Sequence, residues 1–262
     1  MNKPFENFER ISETSSVSMS DEWFKFATED HFWMQWRFCT LKKILRKIDL
    51  IGKPMLEIGC GNGIFIAQME KEGYTIDGCD LNINALKLAR KREGRLLLYN
   101  IFDNNPELIH KYDCIFLMDV IEHIKDDFLF VKNAEEYACN DGYIVINVPA
   151  YNYLFSKYDI EDGHYRRYTK KQLLKLFNTC NIVPIYIKYW GFLLIPLLLL
   201  RKMYLSFFSR NSIKVGFEPP NKFIHRILKL LMHIELRLPF LVFTGTSLIA
   251  IGRINKTPSE NG

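Results

Sequence analysis

Leu56-Glu57-Ile58-Gly59-Cys60-Gly61-Asn62-Gly63-Ile64-Phe65 is the stretch that decides the fold of this 262-residue chain. A hydrophobic strand (Met55, Leu56, Ile58) runs into three alternate glycines and then into an apolar helical pattern at Ile64, Phe65 and Ala67. Glycine is needed where a chain leaves a strand tightly and lets a ligand approach bare backbone. Asp80 closes the next apolar run. An acid about 20 residues beyond such a loop is placed to accept hydrogen bonds from ribose hydroxyls. The combination marks a nucleoside-bearing ligand held over the carboxyl edge of a parallel sheet.

The ligand can be narrowed by exclusion. A dinucleotide fingerprint needs a small residue three positions beyond its middle glycine. Counted from Gly61 that position is Ile64, and no Gly-Lys-Ser/Thr loop for a nucleoside triphosphate occurs. Glu57, two residues before Gly59, would repel a phosphate but suits a cationic or amino-bearing group. S-adenosylmethionine carries both a sulfonium and an ammonium group.

Four motifs in order then make a resemblance visible. They are Leu56–Gly63, Gly78-Cys79-Asp80-Leu81-Asn82, Tyr112-Asp113-Cys114-Ile115-Phe116-Leu117-Met118-Asp119-Val120-Ile121-Glu122-His123, and the strand Gly142–Pro149. On these, residues 54–150 resemble a class I S-adenosylmethionine-dependent methyltransferase. The resemblance implies that Glu57 faces the ammonium end of the donor, with the backbone of Gly59, Cys60 and Gly61 against its amino-acid and ribose portions. Asp80 would take the ribose hydroxyls and Leu81 would flank the adenine. Asn100 and Ile101 would meet the adenine amine, with Asp103 as the alternative partner, and Met118 and Asp119 would border the methionine end. Asp119-x-x-Glu122-His123 is similar to the Glu-x-x-Glu-His motif of ubiquinone-biosynthesis O-methyltransferases, which is associated there with a divalent metal. Other small-molecule methyltransferases use the same residues only to order a loop, and no metal is assigned here.

Alternating strand and helix signals predict an α/β fold with a doubly wound parallel sheet, and the resemblance implies that it is Rossmann-like and seven-stranded with an antiparallel last strand. Apolar runs predict strands at 54–59, 75–79, 95–100, 112–118, 143–149, 182–190 and Ser247–Ile254. Helices are predicted at 63–72, 82–92, 125–139 and 170–180. Residues 1–50 form an N-terminal aromatic helical cap, loose over its first twenty residues. Its aromatics, Trp23 to Phe38, serve as a roof over the cofactor or as plain core. Residues 51–254 form the methyltransferase domain, and 255–262 a tail.

Two insertions interrupt that domain. Residues 151–168 carry Tyr151, His164, Arg166, Arg167 and Tyr168, a loop that in the family lies over the acceptor pocket. His164, with its ordinary pKa near neutrality, is a candidate general base, and His123 a second catalytic candidate. Tyr151, Arg166, Arg167 and Tyr168 are candidate acceptor contacts, the arginines for a carboxylate or phosphate. Alternatively the histidine and arginines pin the loop to Asp159, Glu161 or Asp162.

Residues 190–240 hold the second insertion. The run 190–200 is apolar but too short to span a bilayer, and Pro196 interrupts it. Lys222–Leu238 places Lys222, Arg226, Lys229, His233 and Arg237 every three or four positions among apolar residues. That pattern suits a helix lying in a membrane interface, or an apolar stripe packed on this protein's own core or on a second subunit.

Bulk properties agree. The content of 48% hydrophobic and 25% charged residues is that of a folded globular protein. A net charge of +5 suits an anionic surface or acidic acceptor, and no long basic run with interleaved aromatics points to nucleic acid. Six scattered cysteines without a Cys-x-x-Cys pair read as reduced core thiols. With no apolar leader in the first residues, the expected place is the cytoplasm, peripherally on the inner face of the cell membrane. The function expected is methyl transfer to a small or lipid-linked acceptor, on oxygen. The alternatives are a soluble metabolite methyltransferase with a dimer interface, and a non-catalytic S-adenosylmethionine-binding protein.

Overall fold

The computed structural model describes residues 7–13, 23–90, 92–208, 218, 221–238 and 243–255. The remainder of the first twenty residues, parts of the 190–240 insertion and nearly all of the 255–262 tail lie outside these described residues.

Among the described residues, eight strands form one sheet: β1 (Glu9–Arg10), β2 (Met55–Ile58), β3 (Asp77–Asp80), β4 (Leu96–Leu98), β5 (Tyr112–Met118), β6 (Ala138–Pro149), β7 (Ile182–Trp190) and β8 (Ser247–Ile254). Their order is β1-β4-β3-β2-β5-β6-β8-β7. All neighbours are parallel except β8, which lies antiparallel to both β6 and β7. Residues of β5 alternate between the two faces. Ile115 and Leu117 pack in one layer, Cys114, Phe116 and Met118 in the other. That period of two, with both faces buried, is why the central strands read as continuous apolar runs.

The helices are α1 (Trp23–Phe26), α2 (Phe32–Leu45), α3 (Ile64–Glu70), α4 (Ile83–Leu88), α5 (Asp127–Glu136), α6 (Lys157–Glu161), α7 (Lys170–Thr179), α8 (Ile195–Phe207) and α9 (Lys222–Arg237). Several starts are fixed by side-chain caps. Asn82 Oδ1 accepts from the backbone N–H groups of Asn84 and Ala85, and Thr169 with Gln172 forms a capping box before α7.

Three expectations need correction. The sheet has eight strands, because Glu9–Arg10 pairs with Leu97–Leu98 at the β4 edge. Phe8 is buried beside it, and the Arg95 guanidinium donates to both Glu9 carboxylate oxygens at 3.0 and 2.7 Å. So short an edge strand shows no alternation in sequence. Strand β6 begins at Ala138 rather than 143, through a register shift opposite Tyr112 and Cys114. Pro196 does not break the apolar run, since it sits in the first turn of α8, where its missing N–H costs no helical bond. No helix among the described residues is long and apolar enough to cross a membrane.

Helices α8 and α9 stand over the carboxyl ends of the strands. Leu228 and Met232 of α9 are buried in the core layer shared with α2. Glu235 ties α9 to the start of the α8 segment by accepting the N–H groups of Gly191 (2.6 Å) and Leu193 (3.0 Å). The outward faces stay apolar: Leu200, Met203 and Phe207 of α8 and Phe223 and Leu230 of α9 are each more than half exposed.

Candidate active site

Chain order reverses direction across the sheet between β2 and β5, and a crevice opens outside the carboxyl ends of strands at such a switch point. A cavity of about 780 Å³ lies there.

Its first end is built on the β2–α3 turn. Gly59 has φ of +77° and Gly61 +55°, conformations that side-chain-bearing residues rarely adopt. A Cβ on Gly59 would stand 2.6 Å from Val120 Cγ2. Asp80 ties the turn down: Oδ2 accepts from Gly61 N–H and Oδ1 from Asn82 N–H, both at 2.7 Å. Glu57 is buried, its Oε2 has no hydrogen-bond partner, and burial holds its carboxyl well above the usual range. A buried carboxyl with an open oxygen beside bare backbone fits an ammonium-bearing adenosyl ligand.

A network along the central strands borders the middle of the cavity. Asp119, a non-glycine residue at φ +61°, follows β5. Its Oδ2 receives Arg37 Nη1 at 2.7 Å and its Oδ1 receives Asn147 Nδ2 at 2.6 Å. Asn147 Oδ1 in turn accepts from Trp190 Nε1 at 2.9 Å. Arg37 also lies over the Trp33 ring at 5.3 Å. It is a cavity residue that sequence reasoning missed. The available signal was a lone arginine within the aromatic run Phe32–Phe38, one helical turn from Trp33.

The second end gathers Glu122, His123, Asp162, His164 and Arg167. His164 Nδ1 lies 3.0 Å from Asp159 Oδ1 and its Nε2 3.2 Å from Asp162 Oδ2. Arg167 Nε donates to the same Asp159 oxygen at 2.6 Å. Burial opposes the His164 charge, but the two carboxylate hydrogen bonds outweigh it and raise the pKa to about 9. Burial raises Glu122 to about 8, with the charge of Asp119 adding to it. His123 moves the other way, to about 4, through burial and the charge of His164. Its ring stands edge-on to His164 at 4.6 Å between centroids. Beyond lie Tyr158, with the Arg201 guanidinium 4.4 Å over its ring, and an apolar arm of Leu194, Leu197, Leu198 and Leu228.

All ten residues expected at the donor line this cavity: Glu57, Gly59, Cys60, Gly61, Asp80, Leu81, Asn100, Ile101, Met118 and Asp119. Asn100 already uses its side-chain oxygen to cap the turn at Ile101–Asp103, accepting from Phe102 N–H at 3.1 Å. Trp23, Phe24, Phe32 and Trp33 also face the cavity, whereas Trp36 and Phe38 are core. Of the expected acceptor contacts only Arg167 reaches the wall. Arg166 pairs with Asp127 at 2.9 Å, Tyr168 donates to the same carboxylate at 2.7 Å, and Tyr151 stacks on Tyr189 at 5.0 Å. All three lie off the wall and tie the loop to the fold.

Glu122, His123 and His164 can each bring one ligand atom within 4.8 Å of the others. A divalent cation nevertheless does not fit them as they stand. Both nitrogens of His164 face carboxylate oxygens and must donate, which leaves no lone pair for a metal.

A glycine-rich turn, an acid at the end of the next strand and a buried carboxyl at the switch point are the arrangement of a nucleoside-cofactor site on a doubly wound sheet. Residues 33–218 match the family of methyltransferase domains. The chain belongs to this family, the class I S-adenosylmethionine-dependent methyltransferases. Among curated relatives, the ubiquinone biosynthesis O-methyltransferase of Vibrio parahaemolyticus is 32% identical over 126 residues, 44% of this chain and 54% of that protein. The chain thus spans about half the length of the curated relatives it matches. A methyltransferase from Archaeoglobus fulgidus superposes with a TM-score of 0.52 at 16% identity, over 85% of this chain and 97% of that one. Phosphoethanolamine N-methyltransferase 2 of Haemonchus contortus, solved with S-adenosyl-L-methionine, gives 0.53 at 17%, over 86% and 53%. At such identities the likeness is one of fold.

Proposed function

We propose that this protein methylates a hydroxyl oxygen on a small or lipid-linked acceptor. The observation that carries the proposal is the continuity of one cavity from the Glu57–Asp80 end, past Asp119, to the two histidines and the leucine arm. Bound S-adenosylmethionine supplies a methyl group made electrophilic by its sulfonium. Glu57 holds the ammonium, Arg37 offers a cation to the carboxylate, and Asp80 takes ribose hydroxyls beside Gly59 and Gly61. Trp33, Phe24 and Phe32 exclude water from above. Arg167 and the histidines face the acceptor, whose reactive oxygen must lose a proton, and this favours oxygen over an already nucleophilic amine. The O-methyltransferase relatives support the same choice of atom.

The exposed apolar faces of α8 and α9 are flanked by Lys222, Arg226 and Arg237, which supports peripheral seating on an anionic membrane, on the cytoplasmic side where thiols stay reduced. Calorimetry with S-adenosylmethionine and S-adenosylhomocysteine tests the donor. Labelled methyl transfer into a cell extract, split into lipid and aqueous fractions, tests the acceptor. Label is expected on an oxygen of a lipid-phase or small aqueous product. Binding without transfer into either fraction would leave a binding protein, and no binding would remove the proposal.

A further inference from the structure

We propose that the acceptor is an amphiphile with an apolar chain, drawn sideways out of a lipid layer through a mouth that the cavity opens along α8. The proposal rests on the methyltransferase reading above and fixes the class of acceptor within it.

Among the described residues that line the cavity, the exposed large hydrophobic side chains are Phe102, Leu197 and Leu200. Phe102 follows Asn100 and Ile101 at the donor end. Leu197 and Leu200 belong to the apolar arm beyond the histidines, so at the acceptor end the cavity reaches the surface through α8.

The mouth is built from a helical ridge. Side chains three residues apart are neighbours on a helix. Leu194, Leu197, Leu200 and Met203 follow one another in this way, and their exposures run 2%, 43%, 62% and 59%. The first three line the cavity, and Met203 lies off its wall. One apolar ridge thus passes without a break from the inside of the cavity to the outer face of α8. Helix α9 adds Ile224 and Leu228, four residues apart, to the same wall, while Phe223 and Ile227 beside them are exposed.

That lining selects its occupant. None of the side chains of Leu194, Leu197, Leu198, Leu200, Ile224 and Leu228 can hydrogen-bond, so the arm cannot orient a small polar molecule, and water in it lacks partners. A methylene chain is favoured there by about fourfold for each buried group. Polar side chains border the inner end, where the Arg201 guanidinium lies over the Tyr158 ring at 4.4 Å and Arg167 and Asp119 also line the cavity. An acceptor matched to both regions holds its hydroxyl on a polar head toward Asp119 and sends its chain out along α8. The rise from Leu194 to Leu200 is about 9 Å, so a chain of ordinary lipid length outgrows the arm and its end stays in the surrounding layer. Outside the mouth, exposed Phe223 stands next to Lys222 and close to Arg226 on α9. That combination matches an anionic lipid surface, which also supplies such chains.

Calorimetry with hexyl, octyl and decyl glucoside, each below its micelle concentration, tests this on protein saturated with S-adenosylhomocysteine. Glucose is the chainless control. Affinity is expected to rise about two- to fourfold per added methylene from hexyl to octyl, and to flatten toward decyl as the chain outgrows the arm. Leu197→Asp combined with Leu200→Asp should weaken octyl glucoside about 10-fold or more and remove the slope. Met203→Asp, one ridge position further out, should keep the slope. Leu197→Trp, which fills the mouth rather than charging it, should move the plateau to a shorter chain, and this variant decides alone if the aspartate pair fails to fold. No chain-length dependence in the wild type would overturn the proposal. So would a slope that survives the aspartate pair or is lost equally in Met203→Asp, since either means adsorption to the outer face. Labelled methyl found only in an aqueous product would overturn it too, and leave the transferase reading intact. Failure of the wild type to bind S-adenosylhomocysteine would instead strike that reading, while the glucoside series on the free protein still decides this one.

Discussion

Arg37 Nη1 lies 2.7 Å from Asp119 Oδ2, so a helix near the N-terminus is locked to the end of the central strand across 82 residues. The pair closes one wall of the cavity and holds Asp119 at its positive φ. Arg37→Met should destabilise the protein by about 2–3 kcal/mol, because it leaves a partly buried carboxylate without its charged partner. Urea unfolding measures that loss, and calorimetry should show weaker S-adenosylhomocysteine binding. Unchanged affinity would take Arg37 off the donor site.

Gly59→Ala should abolish donor binding and cost about 2 kcal/mol or more. The new Cβ would stand 2.6 Å from Val120 Cγ2 at a φ of +77°. The double variant with Val120→Ala relieves the clash but not the backbone strain, so thermal unfolding should show partial recovery. Full recovery would place the whole cost in packing.

Between about pH 6.5 and 9 the protein should lose stability as pH rises. His164, at about 9, and Glu122, at about 8, both have folded pKa values above their unfolded ones. The folded protein therefore binds more protons in this window, and each proton difference contributes about 1.4 kcal/mol per pH unit. His123, near 4, has the opposite sign, but its contribution is lost only as pH falls below about 6.5 toward 4. The midpoint of thermal unfolding, followed across the window, should decline in the wild type and flatten in His164→Asn and in Glu122→Gln. A flat wild-type profile would contradict both raised values.

Met203→Asp combined with Leu230→Asp should abolish co-flotation with vesicles containing phosphatidylglycerol and leave S-adenosylhomocysteine binding intact. Both side chains are more than half exposed on the outer faces of α8 and α9. If sedimentation shows a dimer that the same pair disrupts, with no vesicle binding by the wild type, those faces join two copies instead.

Much of this was legible in the sequence because the central strands are buried on both faces. Runs such as Tyr112–Met118 and Ser247–Ile254 are near-continuous apolar signals, and the ten residues that the motifs at strand ends marked out all line one cavity. Glu9–Arg10 was illegible, because a two-residue edge strand held by Phe8 and an ion pair to Arg95 has no periodicity. The 151–168 loop misled for a different reason. Arg166 and Tyr168 look like ligand contacts until Asp127, on a distant helix, is seen to claim both. His164 read either as a base or as a pin for the loop, and its contacts with Asp159 and Asp162 appear only once the loop is folded.

Strand β8 carries a consequence for biosynthesis. Residues 247–254 fill the slot between β6 and β7, so β7 has no hydrogen-bonding neighbour until that stretch has left the ribosome. During translation the nascent chain must carry an unzipped edge and an open, greasy α8 for some sixty residues, and this interval is when a chaperone would find it.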